Sequence, residues 1–227
     1  MRLNKYIAQA TGLSRRAADE AITQGRVLIN AKMPVLGQAV AVEDVVTLDG
    51  ATITPSTTST TIMLHKPIGY VCSRDGQGNR TVYDLLPTTL HHLKPVGRLD
   101  KNSSGLLLLT DDGNLAHRMT HPSFRKTKVY WVALDTPLTN KDIAQIGTGV
   151  HIGDAHPSSF LIQPLGSEHA ATNTRGATYV VRLSEGRNRQ IRRTFEALDR
   201  RVIKLHRLQF GDYTLEGLKP GKYRAMV

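Results

Sequence analysis

The stretch "GRLDKNSSGLLLLT", residues 97–110, sets one carboxylate, Asp100, between Arg98 and Lys101 and a few residues ahead of four consecutive leucines. A short apolar run bounded by turn-forming residues reads as a buried strand. Comparable runs lie on either side: "IMLHKP" (62–67), "VYWVAL" (129–134) and "ATYVVRL" (177–183). Helical spacing is clearest over 188–198, where Ile191, Phe195 and Leu198 recur at intervals of four and three and Arg192, Arg193 and Glu196 occupy the opposite face. The pattern predicts a mixed α/β domain of the α+β class with strands at its core. What remains is why an acid stands at the mouth of a buried strand in a basic chain.

The 227 residues carry 30 Lys and Arg against 19 Asp and Glu, a formal net charge of +11, with 40% hydrophobic content. That length suits one large domain or two unequal ones. The excess charge favours a polyanionic partner, and it is concentrated, since residues 187–207 hold eight Lys or Arg and two acids. No apolar run approaches the ~20 residues of a membrane-spanning helix, and the opening "MRLNKYIAQA" is polar rather than signal-like. A soluble, cytoplasmic protein with no membrane partner is expected. The single cysteine, Cys72, excludes an internal disulfide and any multi-cysteine zinc site.

The uncharged, hydroxyl-rich segment "ATITPSTTST" marks a linker over 51–60, dividing a small module over 1–50 from a larger domain over 61–227. Within the module Leu3, Ile7 and Ala10 share helical spacing, and Ser14 is placed to cap a second helix that runs to about Gln24 and ends at Gly25. Val27 and Ile29 fall on one face of a short strand, and residues 35–50 read as further strands and turns. Arg15 and Arg16 occupy the first turn of that second helix, where the helix dipole disfavours cations by a few tenths of a kcal/mol. A phosphate at the same terminus reverses the sign. With Arg2, Lys5, Arg26 and Lys32 they set six cations against Asp19 and Glu20, which is either a solvated basic face or a nucleic-acid surface. "RLNKYIAQATGLSRRAADEAITQGRVLIN" (2–30) resembles the alpha-L RNA-binding motif. The resemblance implies docking on structured RNA, and no chemistry.

Motifs for common cofactors and nucleophiles do not occur in the sequence. "GTGVHIG" (147–153) lacks the GxGxxG spacing, GxxxxGK[ST] is not present, and no Ser lies in a GxSxG elbow. His117 and His121, four apart, have no HExxH context and no evident third ligand, so they read as an ordinary helix-end pair. No metal and no small-molecule cofactor are expected.

An Asp ahead of an apolar strand is ordinarily a turn former or cap. Beside guanidinium groups, and held against a core by its strand, it stays ionised and serves as a base or nucleophile. A half-buried carboxylate needs a partner, because breaking such a pair costs about 3–5 kcal/mol. Arg98 is too close along an extended loop to face it. Arg189 and Arg192, three apart at the start of the predicted helix, share a face and suit that role.

At this point the segments "GRLDKNSSGLLLLTDDGNLAHRMTHPS" (97–123), "KTKVYWV" (126–132) and "LSEGRNRQIRRTFEALDRRVIKLHRLQFGDYTL" (183–215) resemble successive motifs of the RsuA-type pseudouridine synthases, which modify ribosomal RNA. "LHKPIGYVCS" (64–73), "TVYDLLP" (81–87) and "LKPGKYR" (218–224) resemble the flanking signatures. The resemblance implies an enzyme that detaches uracil from ribose, turns it and rejoins it through carbon-5 without metal or cofactor. On the matching positions, Asp100 is the essential aspartate, Tyr130 the active-site tyrosine and Arg192 the arginine that pairs with the aspartate. Tyr130 would stack on the extruded uracil, worth about 1–3 kcal/mol, and offer a phenol for the proton that leaves carbon-5. Whether Asp100 meets the sugar, the base or the ribose 2′ proton stays open.

Arg98, Arg187, Asn188, Arg189 and Arg193 are assigned to the RNA backbone, with the six cations of the module. A uridine inside folded RNA has to leave its stack to be modified, and anchoring by the module offsets part of that cost. The expected partner is ribosomal RNA or a pre-ribosomal particle, bound by a monomer, with large-subunit RNA preferred because "EGRNRQIRR" (185–193) is nearer that sub-branch. Two other readings stand beside it: an RNA-binding ribosome-assembly factor with incidental or no isomerase activity, and a different RNA-modifying enzyme that shares the module. The missing cofactor signatures disfavour the second.

Overall fold

A computed structural model describes residues 1–55, 58–165 and 177–226. The chain divides into two compact units, Met1–Thr60 and Thr61–Val227.

The first unit contains α1 (Leu3–Thr11), α2 (Arg15–Thr23) and a small antiparallel sheet of β1 (Val27–Ile29), β2 (Val46–Leu48) and β3 (Ala51–Thr52) in that order. Helix α1 buries Leu3 and Ile7, and its end is set by Gly12, which adopts φ 77° and donates its N–H to Ala8. Ser14 caps α2 through its side chain, which accepts from the Ala17 amide at 3.0 Å. Gly25 turns the chain at φ 73°, and Val27 and Ile29 then point into the core with Ala18, Ala21, Ile22 and Val46.

The linker expected over 51–60 begins later than its composition suggests. Ala51 and Thr52 pair with Leu48 and Thr47, the Ile53 amide donates to Val46, and the Ile53 carbonyl accepts from the Tyr6 hydroxyl at 3.1 Å. Ile53 also packs on the core of the unit, and this apolar anchor draws the start of the hydroxyl-rich stretch into the module. Ser56 and Thr57 lie outside the described residues.

The second unit is a mixed sheet with helices packed on it, the α+β class read from the sequence. Its elements are β4 (Thr61–Lys66), β5 (Lys94–Val96), β6 (Ser104–Thr110), α3 (Gly113–Thr120), β7 (Lys128–Leu134), α4 (Asn140–Thr148), β8 (Leu161–Pro164), β9 (Ala177–Leu183), α5 (Gln190–Glu196), β10 (Val202–Phe210), β11 (Tyr213–Thr214) and β12 (Tyr223–Met226). Among the described residues the strands run in the order β12-β4-β6-β10-β7-β9-β8, with β5 on β6 and β11 on β10. The run of leucines has a direct explanation in this sheet. Leu107 and Leu109 enter one core with Ile62, Val132 and Phe195, whereas Leu106 and Leu108 enter a second with Met63, Met119 and Phe210. A strand buried on both faces shows no alternation.

Strands β6 and β10 run parallel only where Ser104 and Gly105 meet His206 and Arg207. Gly105 has φ 111°, and a side chain there would overlap the Arg207 backbone. A residue with no Cβ is what lets the two central strands approach at this level. The predicted helix over 188–198 is shorter, Gln190–Glu196, because Arg189 at φ 46° and Asp199 at φ 57° take left-handed conformations on its two sides.

Candidate active site

Asp100 lies in the loop that joins β5 to β6. Lys66, Cys72, Gly69 and Ser103 hold the backbone of that loop. Lys66, fully buried at the end of β4, donates from Nζ to Pro67 at 3.1 Å, to Asp100 at 3.0 Å and to Ser103 at 2.7 Å, all at carbonyl oxygens. Cys72 Sγ donates to the Leu99 carbonyl at 3.3 Å and accepts from its amide at 3.4 Å. The Gly69 amide donates to Lys101, and the Ser103 amide closes a turn on Asp100. Burial lowers the Lys66 pKa to about 8, against the favourable charge of Asp100.

The carboxylate of Asp100, its side chain 33% exposed, faces two guanidinium groups. Arg189 Nη1 stands 3.7 Å and Arg192 Nε 3.8 Å from Oδ2, ion-pair distances just beyond hydrogen-bond range. Arg192 is fixed by other bonds, from Nη1 to Val202 O at 3.2 Å and from Nη2 to Asn102 O at 2.8 Å and Ser103 Oγ at 3.3 Å. Its Nε is buried and has no hydrogen-bond partner among the described residues. Burial lowers the pKa of Arg192, and Asp100 acts in the opposite direction. A cavity of about 290 Å³ opens beside this pair and is lined by Asp100, Tyr130, Leu205, Lys128, Arg189 and Arg207, among others. Tyr130 comes from β7, 8% exposed, and its hydroxyl makes no hydrogen bond among the described residues. Such a cavity offers a carboxylate, a free phenol and an apolar wall to a flat, polar guest.

Residues 60–197 match the RNA pseudouridylate synthase family, and residues 1–46 match the S4 domain. The chain belongs to the RNA pseudouridylate synthase family. It is similar to a protein of Salmonella typhimurium LT2 named ribosomal small subunit pseudouridine synthase A, 38% identical over all of this chain and 96% of that one. A Vibrio cholerae protein named ribosomal large subunit pseudouridine synthase B is 35% identical over 96% of this chain and 69% of its own length. A crystal structure described as a pseudouridylate synthase superposes with TM-score 0.71 at 34% identity, covering 100% of this chain and 96% of that one.

In this pseudouridylate synthase the cations singled out from the sequence fall into different settings. Arg98, Arg187, Asn188 and Arg189 line the cavity, and Arg98, Asn188 and Arg189 are exposed there. Arg187 and Arg193, assigned from the sequence to the RNA backbone, also form ion pairs within the fold. Arg187 pairs with Asp154 at 3.3 Å and Glu185 at 3.0 Å. Arg193 reaches Asp154 at 2.7 Å and donates to Ile152 O as well. Asp154 is held well below the usual carboxylate range by its hydrogen bond from Arg193 and the charges of both arginines. In the first unit Arg26 is likewise committed, through a two-pronged bond to Asp49 at 2.8 and 2.5 Å. Arg2, Arg15, Arg16 and Lys32 are exposed, and Lys5 is half-buried.

His117 and His121 stand with ring centroids 4.7 Å apart. Among the described residues no group of three or more His, Cys, Asp or Glu comes together to hold a metal. No helix of the described residues is long and apolar enough to cross a membrane.

Two buried cations at the site escape a reading of the sequence, Lys66 and Arg207. A signal exists for each: Lys66 closes an apolar strand just before Pro67, and Arg207 follows Leu205 by two residues in a strand pattern, so both side chains share a face.

Proposed function

We propose that the chain isomerises a uridine of ribosomal RNA to pseudouridine, as a monomer in the cytoplasm, with Asp100 as the reacting carboxylate. The observation that carries this reading is Asp100 facing Arg189 and Arg192 at a cavity shared with Tyr130. The reaction is a redox-neutral rearrangement whose atoms balance within one nucleotide. The bond from uracil N1 to ribose C1′ breaks, a bond from C5 to C1′ forms, C5 loses a proton and N1 gains one. Such chemistry asks for a base or nucleophile, a proton carrier and a site that holds the detached base, and it calls for no cofactor.

Asp100 supplies the first, its carboxylate 3.7 and 3.8 Å from the guanidinium groups of Arg189 and Arg192. Tyr130 stacks on the base and carries the C5 proton on its phenol. Arg192 aligns the carboxylate, since its three backbone and side-chain bonds leave Nε directed at Asp100. Extruding the uridine costs a few kcal/mol. Phosphate contacts by Arg98 and Arg189 at the exposed rim, and by Arg2, Lys5, Arg15, Arg16 and Lys32 of the first unit, offset it.

Relatives matched over nearly their whole length carry the small-subunit name, so small-subunit RNA is the first substrate to try. Large-subunit RNA, preferred from residues 185–193, is the second. The test is to incubate the protein with each RNA, bare and partly assembled, and to map pseudouridine with Asp100→Asn as control. A new pseudouridine that depends on Asp100 is expected. Undiminished activity in Asp100→Asn would remove the carboxylate from the mechanism. Tight binding with no pseudouridine on any substrate would favour the assembly-factor reading.

A further inference from the structure

Arg207 lies in β10 at 2% exposure, opposite Tyr130 of β7 in register, and lines the cavity that holds Asp100. Its Nε donates to Leu106 O at 2.8 Å, and its guanidinium carbon stands 4.7 Å from the centroid of the Phe210 ring. Three buried side-chain nitrogens lack a hydrogen-bond partner among the described residues: Arg187 Nε, Arg192 Nε and Arg207 Nη2. The first two belong to arginines whose charge meets Asp154, Glu185 or Asp100. Arg207 forms no ion pair among the described residues. A guanidinium removed from water with one nitrogen unanswered is costly. The cost is suffered by its neighbours too, since the charge of Arg207 adds to burial in disfavouring the protonated forms of Lys66 and Lys128.

We infer that Arg207 reads the extruded base, its guanidinium donating to a carbonyl oxygen of the uracil in the cavity it lines. The inference rests on the isomerase reading above. Exposure falls steadily into the cavity, from the side chains of Arg189 at 49% and Asp100 at 33% to residues Tyr130 at 8% and Arg207 at 2%. A phosphate stays with the RNA backbone at the rim, where Arg98 and Arg189 stand, and only the base can pass beyond it. The base presents two acceptors, O2 and O4. When N1 parts from C1′ and keeps the bonding pair, negative charge spreads onto both oxygens. A preorganised donor is worth most where charge develops, and most of all in surroundings kept apolar, here by Leu205 and Phe210.

The test uses the full chain and an RNA carrying the mapped target as uridine, 2-thiouridine or 4-thiouridine, because sulfur accepts a hydrogen bond less well than oxygen. Arg207→Met is expected to slow single-turnover isomerisation about 10²–10³-fold while the Kd for RNA stays within about threefold. One of the two thio substitutions should slow the unaltered protein and add no further loss in Arg207→Met, which identifies the oxygen that is read. A merely structural arginine would give additive losses. Additive losses with both thio substrates, or full activity of Arg207→Met, overturn the inference. Arg207→Lys keeps the charge and guards against misfolding of the Met variant, and it should regain part of the rate and part of the thio sensitivity. If neither thio substitution slows the unaltered protein, the inference also falls. If the unaltered protein converts no uridine in any RNA, it is the isomerase reading that fails, and this outcome is distinct from the others.

Discussion

Lys66 Nζ donates to the carbonyl oxygen of Asp100 at 3.0 Å from a position with no solvent exposure. The same ammonium also holds the Ser103 carbonyl, three residues beyond the acid, and the carbonyl of Pro67 beside its own residue. In Lys66→Met three carbonyls lose their donor, and about 2–4 kcal/mol of stability is predicted to go with them. The carboxylate then wanders relative to Arg192, and a misplacement of roughly 1 Å lowers kcat by about 10²-fold. Urea denaturation beside a single-turnover assay checks both. A folded Lys66→Met variant with an intact rate would assign the loop to its other contacts, chiefly Cys72 with Leu99.

Gly105→Ala tests the junction of β6 and β10. A Cβ at φ 111° meets the Arg207 backbone, which neither strand can move without losing pairs on its other side. The predicted loss is about 2–4 kcal/mol, measured as a fall in the urea midpoint at unchanged slope. Retention of full stability would mean that the two strands can separate at Ser104 and Gly105 without cost.

Much of this architecture is legible in the sequence, and the exceptions share a cause. The unbroken run Leu106–Leu109 announces a strand covered on both faces, and the two arginines picked out beside the predicted helix, Arg189 and Arg192, are the ones that reach Asp100, although Arg189 stands outside the helix at φ 46°. The structure sets their guanidinium groups 3.7 and 3.8 Å from Asp100. Ser14 and Gly25 bracket α2 because capping is decided within a few residues. Whether a charge is free or committed is decided over long separations. Arg193 finds Asp154 39 residues away, and Lys66 finds Asp100 34 residues away, in loops that no local pattern marks. The same holds for β3, a strand of two residues whose existence depends on the edge that β2 offers it.

His206 predicts a pH dependence of stability. Its ring accepts or donates at Nδ1 to Ser104 Oγ at 2.8 Å and lies 5.2 Å from the ring of His65. Burial, with a smaller contribution from His65, lowers its pKa from 6.5 to about 4. The folded value is below the unfolded one, so between these two pH values the unfolded chain binds more protons. Stability is therefore full above pH 6.5 and is lost as pH falls toward 4, by on the order of 1–3 kcal/mol for a partly exposed imidazole. Chemical denaturation at pH 7.5, 6, 5 and 4.5 should show the decline, flattened in His206→Gln. A parallel decline in that variant would place the titration elsewhere.

Arg15 and Arg16 predict opposite effects on stability and on binding. Both stand exposed in the first turn of α2, with no acid there to meet the helix dipole, and Arg15 makes one hydrogen bond, to Asn4 Oδ1 at 3.1 Å. Changing both to Glu replaces two unfavourable charges by two favourable ones. The first unit should gain about 0.5–1 kcal/mol at low salt. If these guanidinium groups meet phosphates, the same variant should bind RNA more weakly, and the slope of log K against log salt should shrink by about 2. Titrations at several KCl concentrations, with a thermal melt of each protein, separate the two effects. A more stable variant with an unchanged salt slope would show that RNA docks on another face of the module. A less stable one would show that Arg15 contributes more through Asn4 than it loses to the dipole.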